Sequence, residues 1–324
     1  MSRGEVFSLP LRTRFRGITV REGVLLRGEA GWGEFSPFTE YDDATALPWL
    51  RAALEAADEG WPDPVRDSVP VNVTVPAVAP ELAADVVRRS AGCRTAKVKV
   101  AEPGQSLADD EARVAAVRAA LEEAGPGAAP GRIRVDANGA WTPERAVTAI
   151  RALDRAAGGL EYVEQPCAEV EELAVVRRRV DVPIAADESI RRAADPYRVR
   201  DLEAADIAVL KVQPLGGVRA CLRIAEDIGL PVVVSSALES SVGIAAGVAL
   251  AAALPELPYA CGLATVQLMV EDLAEDPLLP VDGALPVRRP QVDLAALERL
   301  GADDGRATWW GERLDRVRSL AGAP

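Results

Sequence analysis

The sequence predicts an α/β protein, a (β/α) barrel preceded by a smaller α+β capping domain. Short β-branched runs recur from about Val69 onward: VPVNVTV, AKVKV, RIRVD, LEYVE, PIAAD, DIAVL, PVVVS and PYACG. They start near 71, 96, 132, 160, 184, 207, 232 and 259, and alanine-rich stretches of helical periodicity lie between them. Eight strand and helix units at that spacing match a barrel. An open doubly wound sheet is the competing architecture, but no glycine-rich phosphate loop follows the first strand.

The N-terminal region has a different texture. VFSLP, FRGITVREGVLLRG and GWGEFSPF read as antiparallel strands with glycine turns, and a helical stretch from about Ala44 to Glu59 follows. The expected division is therefore a cap over residues 1–68, a barrel over 69–285, and a segment over 286–324 that packs back on cap or barrel. Trp309 and Trp310 in that last segment read as packing residues.

Composition narrows the functions open to such a chain. A length of 324 residues, 49% hydrophobic and 27% charged, fits a folded globular protein with one large and one small domain. The net charge of -13 disfavours nucleic acid and anionic lipid as partners. Met1–Pro10 lacks a basic start followed by an apolar stretch, and no apolar run approaches the roughly 20 residues of a membrane span, so a cytoplasmic location is expected. Cys93, Cys167, Cys221 and Cys261 are far apart and form no C-x-x-C pair, which points to buried free thiols. The chain has no histidine, so catalysis by a Ser-His or Cys-His pair is excluded. Carboxylates, lysine, tyrosine or an oxygen-ligated metal must carry any chemistry.

Of the 37 basic residues only Lys97, Lys99 and Lys211 are lysine, leaving 34 arginines. A solvated charge tolerates arginine, whereas a group that must lose and regain a proton cannot be a guanidinium. The three lysines are thus candidates for proton transfer, provided they converge in space. Barrel active sites lie where the strands end. The second strand supplies Lys97 and Lys99, spaced i, i+2 and hence on one side of the strand. The third ends in Asp136, the fourth in Glu164, the fifth in Asp187, the sixth in Lys211, and the seventh in Ser235 and Ser236. Two amines therefore face each other across an arc of three carboxylates. Such carboxylates repel one another unless a cation lies among them, and all-oxygen ligation favours Mg²⁺, with Mn²⁺ as a substitute. Each motif alone has a bland explanation, a solvated strand or a helix cap; the order and register of the set favour a functional one.

AKVKV, RVDANGAW, YVEQP, ADES, LKVQPLGG and SSALESSVG together resemble the enolase superfamily, specifically its muconate-lactonising subgroup, over essentially the whole chain. The resemblance implies an enolase-type barrel whose catalytic base is Lys99, supported by Lys97 and opposed by Lys211. It also implies Asp136, Glu164 and Asp187 as metal ligands and a small-molecule carboxylate as substrate. The short chain, the VPVNVTVPA strand, Arg134 two residues before Asp136, and SSALESS resemble a dehydrating branch of the subgroup, active in menaquinone synthesis on a hydroxycyclohexadiene carboxylate. CGLATVQL at the eighth strand lacks the Asp-x-Asp that would hold a substrate ammonium. Ser235, Ser236 and Gly262 are candidates for binding the substrate's tail, or form a small-residue loop turning into a helix. Asn138 and Arg134 are candidate supporting groups, and Arg134 could equally be a packing ion-pair partner. An N-acylamino acid racemase on the same scaffold, a Schiff-base aldolase and a non-catalytic barrel are the alternatives.

Overall fold

The computed structural model describes residues 4–15, 17–123, 130–192 and 195–322; the first three residues of the N-terminal window and the last two of the C-terminal segment lie outside these. Alternating polar and apolar residues build an antiparallel meander of β1 (Glu5–Phe15), β2 (Ile18–Arg27) and β3 (Trp32–Phe35). Gly33 lets β3 lie close against the next helix, since a Cβ there would stand 1.9 Å from the Ala53 carbonyl oxygen. That helix, α1 (Asp43–Leu54), is capped by the Asp42 carboxylate on the Thr45 N–H at 2.7 Å. It runs on into one π turn at Glu55–Glu59, ended by Gly60 at φ 74°.

A short β4 (Ser68–Pro70) leads into the barrel. Its strands and helices follow as β5 (Asn72–Val75), α2 (Pro80–Arg88), β6 (Thr95–Lys99), α3 (Leu107–Glu122), β7 (Arg132–Asp136), α4 (Pro143–Ala157), β8 (Tyr162–Glu164) and α5 (Val170–Arg177). Next come β9 (Ile184–Ala186), the single turns α6 (Glu188–Arg191) and α7 (Arg198–Asp201), β10 (Ile207–Lys211), the single turn α8 (Val212–Leu215), α9 (Val218–Ile228), β11 (Val232–Ser235) and α10 (Ser241–Ala253). Neighbouring strands pair in parallel and in sequence order from β5 to β11. The near-continuous apolar reading of these strands follows from burial on both faces, by barrel side chains within and helices without.

PYACG reads as an eighth strand, but among the described residues its ladder contacts are two isolated bridges, Val71 with Cys261 and Ser235 with Gly262. Pro255 just before it and Pro258 at its first position cannot donate to a ladder, and Cys261 and Gly262 make the bridges to β5's side and to β11. A 3₁₀ turn at Ala264–Leu268 follows in place of a barrel helix. β12 (Ala284–Pro286) then pairs antiparallel with β4, and α11 (Leu294–Arg299) and α12 (Asp304–Leu320) complete the chain. Trp310, Leu314 and Val317 of α12 share an apolar cluster with Phe35, Trp49 and Leu50. Among the described residues no helix is long and apolar enough to cross a membrane. All four cysteines are buried and free.

Candidate active site

Strand register places the polar residues side by side. Lys99 of β6 pairs with Asp136 of β7, Asp136 with Glu164 of β8, and Lys211 of β10 with Ser235 of β11. Asp187 follows β9 directly. Lys97 lies between two carboxylates, 2.9 Å from Glu164 and 3.1 Å from Asp136. Lys99 donates to Asp136 at 2.5 Å and to the Asn138 side-chain oxygen at 2.7 Å. Across the barrel Lys211 donates to Asp187 at 2.5 Å, and Arg191 holds the other oxygen of that carboxylate at 2.8 Å.

These charges are buried, apart from Lys99, whose side chain is 14% exposed, and burial bears on all their proton affinities. Burial works against the Lys97 charge, but Glu164 and Asp136 outweigh it and hold its pKa above that of an ordinary lysine. For Lys99 burial prevails, aided by repulsion from Lys97, and its pKa falls despite Asp136. Burial opposes ionisation of Asp136 and Asp187 too, yet Lys99 and Lys97 beside the first, and Arg191 and Lys211 beside the second, keep both well below the usual carboxylate range. Glu164 is pushed up to about 7, by burial first and then by the Asp136 charge.

One cavity gathers Lys97, Lys99, Lys211, Asn138, Ser235, Ser236 and Gly262 with Phe15, Thr74, Ala237, Leu238 and Thr265. The Ser236 hydroxyl donates to the Gly262 carbonyl at 2.8 Å and lies 2.8 Å from the Thr265 hydroxyl. A Cβ on Gly262 would fall 2.6 Å from Ser235 Oγ, so any larger residue at the eighth crossing requires the Ser235 hydroxyl to move. Asn138, at φ 47°, ties its own N–H to Asp136 at 3.0 Å and donates to Glu188 at 3.2 Å. Arg134 is not among the cavity residues. It is fully buried, paired with Glu161, hydrogen-bonded to Asn72 at 3.1 Å and to the Ala260 carbonyl at 2.6 Å, and stacked on Tyr162 and Tyr259.

Sequence reasoning missed three contributors. Gln165, left-handed at φ 39°, accepts from the backbone N–H groups of Asp187 at 3.0 Å and Ser189 at 3.1 Å, and so holds the end of β9 beside Glu164. Its presence in YVEQP was the available signal. The ring centre of Phe15, the last residue of β1, lies 5.7 Å from the Lys99 ammonium, and Leu238 also lines the cavity. Neither carries a polar signature in the sequence.

Among the described residues no group of three carboxylates, cysteines or histidines is arranged to hold a metal ion. Asp136, Glu164 and Asp187 nonetheless fit an oxygen-ligated divalent ion by donor type. They form a buried cluster of negative charge, and the raised Glu164 marks where one more cation is stabilising.

A sheet of consecutive parallel strands that presents Lys-x-Lys, Asp, Glu, Asp and Lys at successive ends under an α+β cap defines a class. The chain belongs to the enolase superfamily: an enolase N-terminal domain-like model matches residues 6–57, and an enolase C-terminal domain-like model matches residues 81–291. A divalent metal goes with enzymes of this family. An o-succinylbenzoate synthase of Thermobifida fusca is 66% identical over 316 residues, 98% of this chain and 96% of that protein. Another, of Mycolicibacterium smegmatis, is 58% identical over 320 residues, 99% and 96% of the two chains. Among solved structures, muconate lactonizing enzyme from Pseudomonas fluorescens, complexed with muconolactone, superposes with a TM-score of 0.76 at 22% identity over 93% of this chain and 98% of that one. The L-Ala-D/L-Glu epimerase of Bacillus subtilis gives 0.74 at 23% identity over 89% and 96%.

Proposed function

We propose that the chain is an o-succinylbenzoate synthase, a lyase that removes water from 2-succinyl-6-hydroxy-2,4-cyclohexadiene-1-carboxylate to give o-succinylbenzoate, a step of menaquinone synthesis. The observation that carries the reading is 66% identity over nearly the whole of both chains to a relative of that name, with the lysines and carboxylates of the site in register.

The residues divide the work as follows. Lys99, with its lowered pKa, takes the proton α to the ring carboxylate. Now an ammonium, it returns a proton to the departing hydroxyl on the same face, so the elimination is syn and the ring becomes aromatic. Lys97 stays charged and holds Asp136 and Glu164 in place. Lys211 presents its charge to the opposite side of the cavity, where negative charge accumulates on the enediolate. Asp136, Glu164 and Asp187 would hold Mg²⁺, with Mn²⁺ as a substitute, which when bound supplies Lewis acidity toward the substrate carboxylate. Ser235, Ser236 and Gly262 receive the succinyl tail. Phe15 and Leu238 exclude water.

The test is ultraviolet absorbance of the cyclohexadiene with purified protein and Mg²⁺, beside EDTA and Lys99→Ala controls. Metal-dependent loss of the diene signal, absent in the variant, supports the reaction and the base. No turnover by a protein that binds Mg²⁺ removes the synthase assignment. A second reading, racemisation of an N-acylamino acid, draws on Lys99 and Lys211 lining one cavity. It predicts deuterium uptake into a chiral N-acylamino acid.

A further inference from the structure

The cavity wall made by residues 236–238 is not held by the barrel alone. Leu238 is buried, lines the cavity, and has φ 67°, a left-handed conformation that persists in such a residue only where its surroundings impose it. Its carbonyl accepts a hydrogen bond at 2.9 Å from Nε of Arg21, which lies on β2 of the cap, 217 residues away in sequence. Nη2 of the same guanidinium donates to the Ser36 carbonyl and, at 3.1 Å, to the Ser36 hydroxyl. It also reaches the Ala237 carbonyl at 3.4 Å, and its carbon lies 4.5 Å from the Phe38 ring centre.

A second tie runs beside the first. Glu34 of β3 accepts from the N–H groups of Ser240 and Gly243, both at 3.1 Å, and from the Ser240 hydroxyl, which fastens the start of α10. Its other oxygen accepts from Ser36 Oγ at 2.7 Å. Arg21 and Glu34 are each 2% exposed, and neither lines the cavity. A buried cation and a buried carboxylate are costly to place at an interface, and the bonds described here from Arg21 and Glu34 to the barrel land on residues 237–243.

We propose that Arg21 and Glu34 are positioning residues for substrate binding: through them the capping domain fixes the wall that receives the substrate's tail. The inference rests on the synthase reading for the identity of that tail. A role in packing alone would lower stability and leave binding unchanged, whereas a displaced wall weakens substrate binding while Lys99 and the carboxylates keep their places.

The test uses the full-length, Mg²⁺-loaded protein with Arg21→Met, Arg21→Lys and Glu34→Gln. Steady-state kinetics on the cyclohexadiene are measured beside hydrogen exchange of the peptide covering residues 236–243. Arg21→Met is expected to raise KM by about tenfold or more with kcat held within about threefold and an unchanged pH profile, and Arg21→Lys to recover part of the loss. Residues 236–243 should exchange faster and residues 207–211 at the wild-type rate. Wild-type KM in a folded Arg21→Met protein, or equal loss in KM and kcat with faster exchange throughout, overturns the inference. If these variants do not fold, Ser36→Ala, which removes one donor from Glu34, decides by the same KM and exchange readouts. If the wild type does not consume the diene, the synthase reading falls, and exchange in residues 236–243 still separates a held loop from a free one.

Discussion

Replacing Lys97 by methionine keeps most of the side chain's length and removes only its charge. The ammonium lies 2.9 Å from Glu164 and 3.1 Å from Asp136, with about 6% of the side chain exposed and about 1% of either carboxylate. Breaking a buried pair from one side costs about 3–5 kcal/mol, because the remaining charge is left in a medium that cannot solvate it. Asp136 keeps Lys99 as a partner, whereas Glu164 has no second ion pair among the described residues; already pushed up to about 7, it takes up a proton once Lys97 is gone, so the lower half of that range is expected without metal. A divalent ion restores positive charge to the same carboxylates, and at a hundredfold excess over its Kd it stabilises the folded state by about 2.7 kcal/mol. Urea unfolding in EDTA and then in Mg²⁺ measures both quantities. Arg88→Met is the control, since its pair with Glu123 is about half exposed and screened by water, and its loss should be too small to resolve. A Lys97→Met protein as stable in EDTA as the Arg88→Met control would refute the claim that this ammonium offsets buried negative charge.

Three further outcomes are expected. Burial pushes Glu34 up to about 7 from 4.5, so the folded state binds a proton that the unfolded chain has already lost; stability should fall as pH rises through this window, by at most about 3 kcal/mol, and Glu34→Gln should flatten urea midpoints compared at pH 5 and pH 8. Glu55, buried in the π turn, accepts from the N–H groups of Val218 and Arg219 at 2.5 and 3.1 Å at the start of α9, so Glu55→Ala should cost about 2–3 kcal/mol in calorimetry or urea unfolding. Gly262→Ala puts a methyl group 2.6 Å from Ser235 Oγ and should lower kcat/KM by about tenfold or more, measured by diene loss, while metal affinity measured by calorimetric titration stays at the wild-type value.

The barrel was legible because its strands are buried on both faces and its helices on one, and those two periodicities are written in consecutive residues. The eighth crossing was over-read: PYACG has the composition of a strand, but with Pro255 before it and Pro258 at its start, its ladder contacts among the described residues are the bridges of Cys261 and Gly262. The site residues that announce themselves are charged groups at strand ends, and they do so as an ordered set, since each alone could be a solvated charge or a helix cap. Arg134 shows the limit of that argument. Its place two residues before Asp136 was compatible with support of the site or with packing, and only the structure puts it among Glu161, Tyr162 and Tyr259, away from the cavity. The ties from Arg21 and Glu34 to residues 237–243 span more than 200 positions and depend on backbone carbonyls and N–H groups, which no residue pattern encodes.

The three lysines in a chain that otherwise uses arginine can now be separated by what a guanidinium would fail to do at each place. At position 99 the group has a lowered pKa and must give up its proton on the proposed mechanism, which a guanidinium cannot do near neutral pH. At position 97 the pKa is raised, so proton loss is not the reason. There the requirement is size and shape, since one compact ammonium meets two carboxylates within 3.1 Å in a space with about 6% exposure, where a planar fork would have to push Asp136 and Glu164 apart. Position 211 shares that geometric demand, because its ammonium contacts one oxygen of Asp187 while Arg191 already occupies the other. Lys97→Arg should therefore fail through displaced carboxylates and weakened metal binding, and Lys99→Arg through loss of the base with metal binding retained. Calorimetric titration with Mg²⁺ distinguishes the two, and equal metal affinity in both variants would show that the lysines were kept for one common reason.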